Sequence, residues 1–80
     1  MAGVTVRYWA AAKAAAGVAE EALDAATVGE LLDRAGAAHG PELARVLARC
    51  SVLVDGLRAR PADSLAEGAV VEVLPPFAGG

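Results

Sequence analysis

Alanine supplies 21 of the 45 apolar residues in this 80-residue chain. It favours helices and close approach but fills little volume, so the 24 larger apolar side chains must build the core. Ten valines and nine leucines dominate that set. A chain of this length hides only about 60% of the surface its unfolded form exposes, so the fold has to be compact, economical and a single domain. No apolar run approaches the roughly 18 residues of a membrane crossing. "MAGVTVRYW" lacks a basic segment followed by an apolar one, which argues against a secretory signal.

"VTVRYW" (residues 4–9) alternates apolar and polar positions and is β-branched. It predicts a strand with Val4, Val6 and Tyr8 on one face and Thr5, Arg7 and Trp9 on the other. "AAAKAAAG" reads as a short helical turn or loop stopped by Gly17, and "VAEEALD" as a weak antiparallel strand with Leu23 inward. In "TVGELLDRAGAAHGP", Thr27 is the N-cap and Glu30 completes a capping box. Val28, Leu31, Leu32, Ala35 and Ala38 form its apolar stripe, and Gly40 with Pro41 ends it. "PELARVLARC" opens on a favoured first-turn proline and carries a second, shorter stripe of Leu43, Val46, Leu47 and Cys50.

Asp55-Gly56 between apolar runs is a hairpin signal. Pro61 keeps the second arm short or at a sheet edge. Leu65 anchors the next turn, and "AVVEVL" (residues 69–74) is a last strand with Val71 and Val73 inward and Val70, Glu72 and Leu74 outward. The order predicts an α+β fold: a mixed sheet of four to five strands, with one main helix and a short second helix on one face. Residues 1–74 form the domain and residues 75–80 a flexible tail. Within the tail, Pro75 and Pro76 end the ladder and favour an extended, stiff exit. Gly79 and Gly80 carry no Cβ, which suits a slender segment entering a narrow protein channel. The bland alternative is a frayed end where small residues gather.

Three stretches carry a resemblance to the ubiquitin-like sulfur-carrier family, which includes the small subunit of molybdopterin synthase and the thiamine thiazole carrier. "VRYWAAAKAAAG" resembles the family's opening strand, aromatic pair and turn. "ATVGELL" resembles the start of its helix, and "LAEGAVVEVLPPFAGG" is similar to its closing strand and tail. The Pro-Pro spacing points to the molybdopterin branch. Two positions depart from the pattern: Asp55 stands where Asn is frequent, and Ala69 stands where an acidic residue often follows the turn glycine.

The resemblance implies a β-grasp fold and a carrier cycle. An adenylyltransferase like the ubiquitin-activating enzymes spends ATP on the Gly80 carboxylate, and a sulfur donor protein converts it to a thiocarboxylate. The tail, with Gly79, Ala78 and Phe77 threading behind Gly80, then enters the large subunit of molybdopterin synthase. There it gives its sulfur to a cyclic pyranopterin monophosphate. The chain supplies a reactant; its partners supply the catalytic residues and the ATP site, and the chain binds no cofactor or metal of its own. A carrier for thiazole or cysteine synthesis, a protein modifier joined to lysines through Gly80, and an interaction domain with an inert tail are the alternatives.

Other residues invite weaker readings. Cys50, the lone cysteine, excludes an internal disulfide, suits a reducing cytoplasm and reads as core packing. His39 has no second histidine or cysteine pair to share a metal and suits the negative end of a helix. Glu20 and Glu21 read as a solvated charge pair. If the first and last strands run side by side and parallel, Trp9 and Leu74 lie together at the root of the tail. Joined by Leu57 and Phe77, they are the candidate partner surface. Seven Lys/Arg against ten Asp/Glu give a net charge of −3. Without a basic stripe, this argues against a nucleic-acid module and mildly favours a partner with a basic surface.

Overall fold

The computed structural model describes residues 1–76. Its elements run β1 (Ala2–Tyr8), α1 (Ala10–Ala16), β2 (Glu20–Ala25), α2 (Val28–His39), α3 (Pro41–Leu47), β3 (Ser51–Val54), β4 (Leu57–Arg58) and β5 (Val70–Leu74). The strands make one sheet in the order β2-β1-β5-β3-β4. β1 and β5 are parallel at its centre, and the other neighbours are antiparallel. The first strand begins earlier than its alternation predicts, because Ala2 pairs with Ala25, and it ends at Tyr8, leaving Trp9 outside the strand.

The alternation places the core. Val4, Val6 and Tyr8 from β1 and Val71 and Val73 from β5 are all buried on the face that the helices cover. Val28, Leu31 and Ala35 of α2 and Leu43 and Leu47 of α3 meet them from the other side, and Leu65 anchors the turn as expected. Ala38, assigned to the stripe of α2, is exposed instead, and Gly36 is buried. The reason is the approach of α3. A Cβ on Gly36 would lie 3.2 Å from the Ala44 Cβ, so the two helices touch where neither carries bulk. This is where the chain's small residues are used.

Thr27 caps α2 through its hydroxyl, which accepts the Glu30 N–H at 3.2 Å. Glu30 reaches back one residue further than a capping box requires, accepting the Ala26 N–H at 2.9 Å. The loop after Pro61 satisfies two more first-turn donors: Val28 N–H bonds to the Asp63 carbonyl and Gly29 N–H to the Pro61 carbonyl. Gly40, with φ of 104°, separates α2 from α3. Asp55 and Gly56 both take positive φ, 50° and 85°, which fits the two-residue hairpin turn. Asp55 also ties that turn to β5, accepting the Val70 N–H at 2.9 Å.

Candidate functional site

Because β1 and β5 run parallel, their C-terminal ends meet at one pole of the sheet. Tyr8 pairs with Val73, and Trp9 N–H donates to the Val73 carbonyl at 3.3 Å. One step further along that register lie Trp9 and Leu74, with Ser51 of β3 across from Leu74. Trp9 is 45% exposed, and Leu74 and Pro75 are half-buried. The chain leaves the sheet here through Pro75 and Pro76. Phe77, Ala78, Gly79 and Gly80, the tail residues of the sequence reading, lie outside the described residues.

The sheet face away from the helices is a mixed surface. Across its middle, register aligns Glu20, Arg7, Glu72, Leu53 and Arg58 on successive strands. Arg7 and Glu20 approach to 3.8 Å with both side chains about half exposed, an arrangement worth little in stability. Leu53 and Val70 are half-buried on this face; Leu53 is diagonal to Leu74 across β3–β5, and Val70 lies at the other end of β5, beyond Glu72. Sequence reasoning missed Leu53, whose facing follows only once β3 is set against β5. Beside Trp9, a shallow depression is lined by Arg7, Tyr8, Lys13, Ala19 and Glu20, giving the root of the tail a flank of mixed charge in which Arg7 is paired with Glu20.

Leu57 does not join Trp9 and Leu74. It is 75% exposed, but it pairs with Val54, which itself pairs with the inward Val71. It therefore lies at the hairpin end of β4, away from the tail, and its register position belongs to the helix side of the sheet.

Cys50 packs against the core as expected, and its thiol donates to the Val46 carbonyl at 3.2 Å. Burial pushes that thiol above its ordinary pKa, so less thiolate is present to react. Glu21 corrects the sequence reading. On β2 it shares the inward face with Leu23 and Ala25, and its Oε2 accepts the Tyr8 hydroxyl at 2.5 Å and meets His39 Nε2 at 2.6 Å. Glu20 alone is the solvated member of the pair. His39 is at the end of α2, as expected, with this carboxylate as its partner.

Tyr8 is 2% exposed. Burial first, and then the hydrogen bond and charge of Glu21, keep its phenol protonated well above the ordinary value of about 10. A folded-state pKa raised in this way means that unfolding releases a proton at high pH. The stability it contributes is complete below about pH 10 and declines as pH rises toward the folded pKa. In a Cys50→Ala background, which removes the thiol that titrates with the same sign, denaturant midpoints are expected to fall above pH 10. Tyr8→Phe should flatten that decline, and an equally steep slope in the Phe variant would refute the assignment.

Among the described residues, no helix is long and apolar enough to cross a membrane, and no three His, Cys, Asp or Glu side chains gather as metal ligands. At the tail pole lie a strand end, the half-exposed Trp9 and a mixed sheet face.

Solved structures share this fold across nearly the whole chain. SAMP1, the small archaeal modifier protein 1 of Haloferax volcanii, is 29% identical with a TM-score of 0.85, over 98% of this chain and 99% of its own. A Pyrococcus furiosus protein assigned as subunit 1 of a molybdopterin converting factor is 27% identical with a TM-score of 0.83, over 96% and 100%. A chain from the complex of subunits 1 and 2 of the Helicobacter pylori molybdopterin-converting factor is 25% identical with a TM-score of 0.70, over 98% and 99%. No curated protein sequence matches. The model of the ThiS family matches residues 6–80, from within β1 through the strand end and the tail, and the chain belongs to that ubiquitin-like family.

Proposed function

We propose that this chain is a sulfur carrier for molybdopterin synthesis, with Gly80 as the terminal residue of the active form. The observation that supports the reading most is the exit of β5. A central strand ends in Pro75-Pro76 beside the exposed Trp9, and the sequence continues to Gly79-Gly80. Consecutive prolines favour an extended, stiff backbone, and a sequence that ends on two residues without side chains suits a carboxylate that must enter a narrow site.

Activation makes an inert carboxylate electrophilic. The Gly80 carboxylate attacks the α-phosphorus of ATP and pyrophosphate leaves, giving an acyl-adenylate. A persulfide on the donor protein then adds to that carbonyl, and AMP departs with the C–O bond electrons. A thiol reductant cleaves the S–S bond of the acyl disulfide so formed, returning the donor's sulfur as a thiol or disulfide and releasing the thiocarboxylate. The resulting thiocarboxylate threads into the large subunit, Gly80 first with Gly79, Ala78 and Phe77 behind it. Its sulfur attacks the cyclic pyranopterin monophosphate, and hydrolysis of the acyl–sulfur bond leaves the sulfur on the pterin and returns the Gly80 carboxylate. The sheet face with Leu74, Leu53 and Val70, together with Trp9, is the docking surface for both the large subunit and the adenylyltransferase. The similarity to subunit 1 of molybdopterin converting factors supports this acceptor.

The likeness to small archaeal modifier proteins favours a second reading, a modifier joined to lysines through the same activated glycine. Incubation with an adenylyltransferase, ATP and a sulfur source separates the two when read by intact mass. Exchange of one terminal oxygen for sulfur, followed by transfer to the pyranopterin in the presence of the large subunit, is the expected result. Isopeptide-linked adducts in cell extracts, with no thiocarboxylate formed, would instead establish the modifier. A thiocarboxylate that the large subunit cannot discharge would point to thiazole or cysteine synthesis.

A further inference from the structure

The contact among Tyr8, Glu21 and His39 serves none of the steps above, yet it joins three elements at the tail pole. One oxygen, Glu21 Oε2, takes the Tyr8 hydroxyl and His39 Nε2, at 2.5 and 2.6 Å. Since a carboxylate only accepts, Nε2 carries a proton in this arrangement. The Tyr8 and His39 rings meet nearly perpendicular, with centroids 6.0 Å apart. The carboxylate is largely shielded, with its side chain 23% exposed and that of His39 19%.

Directly after Tyr8 the backbone is strained. Ala10 takes φ of +49°, in the left-handed region that a Cβ disfavours. Such a residue persists only where its surroundings over-determine it. Between them, Trp9 is the N-cap of α1 and makes no side-chain cap, holding the helix only through its carbonyl, which accepts the Ala12 N–H at 3.0 Å and the Lys13 N–H at 3.4 Å. A seven-residue helix of alanines and one lysine is too short to hold that corner by itself. The anchor has to come from outside α1, and the side chain nearest in sequence that reaches another element through a hydrogen bond is Tyr8.

The geometry points to Tyr8, Glu21 and His39 as a clasp that locks the β1–α1 corner and so fixes Trp9 at the root of the tail. Glu21 and His39 are positioning residues that act through Tyr8. The step from corner to partner docking rests on the carrier reading above; the step from clasp to corner does not.

Amide hydrogen exchange on the full chain tests it. Glu21→Gln and His39→Ala should each speed exchange at Trp9 and Ala12 about tenfold while the amides of β3 hold near wild-type rates, a local opening. His39→Gln, whose amide can still donate to Glu21, should restore protection. Uniform acceleration through the sheet, or none at Trp9, would overturn the clasp. The surface-proximal His39→Ala keeps the test usable if Glu21→Gln fails to fold. With the adenylyltransferase, the same variants should raise KM severalfold and leave kcat unchanged. An unchanged KM beside a loosened corner would overturn the docking half. If the wild-type chain is not adenylated at all, the carrier reading falls and the exchange result still decides the clasp.

Discussion

Deleting Gly80 should abolish thiocarboxylate formation while leaving the fold intact. The deletion shortens the tail by about 3.5 Å, and displacement of a reacting group by as little as 1 Å can cost on the order of 100-fold. A loss of at least that size is expected in activation, read as the sulfur-exchanged mass at a fixed time. The thermal midpoint should not move, because Gly80 lies beyond β5 and the core side chains come from the elements that precede it. Appending a bulky residue after Gly80 should have the same effect for a different reason, since the carboxylate then belongs to a residue with a side chain. A chain lacking Gly80 that still donated sulfur would end the carrier reading.

Leu31→Ala should be the most damaging single truncation for stability. Leu31 is fully buried and is, with Tyr8 and Leu43, among the few large side chains in the core. Truncating a buried leucine costs roughly 2–5 kcal/mol. A domain of this size holds only about 4–12 kcal/mol in all. The alanine-rich surroundings cannot collapse to fill the void, so a cost of about 3 kcal/mol is expected, with a fall in thermal midpoint of roughly 12–24 °C. Urea titration with an unchanged slope would check it. Leu57→Ala is the matching control. With 75% of its surface in water, it should change stability by less than about 0.5 kcal/mol.

Strand positions were legible because alternation is a local signal. The facings of Val4, Val6, Tyr8, Val71 and Val73, the Asp55-Gly56 turn and the Thr27 cap each follow from a few neighbouring residues, and each stands in the structure. Facts that depend on two elements were harder to read. Ala38 was displaced from the stripe because α3 crosses α2 at Gly36, and nothing in α2 alone shows where a neighbour crosses. Glu21 was readable in part: if Leu23 faces inward, so does the residue two before it. Its partners, from β1 and from the far end of α2, depend on tertiary contact. The misplacement of Leu57 came from ignoring turn parity, since a two-residue hairpin puts Leu57 on the same side as Val54. At the site, the strand exit, Trp9 and the outward facing of Val70 were legible; the half-buried Leu53 needed the sheet order.

That order has a kinetic consequence. The last strand to be synthesised is the middle one, so before residues 70–74 leave the ribosome the hairpins β1–β2 and β3–β4 share no ladder. The nascent chain can form local turns but cannot seal its interior. Closure pairs residue 5 with residue 70, a long loop to draw shut, and such sequence-distant pairing slows folding relative to helical proteins of equal size. A stalled chain ending at residue 69 should therefore be as protease-sensitive as an unfolded one, with protection arriving in a single step once β5 is free to insert.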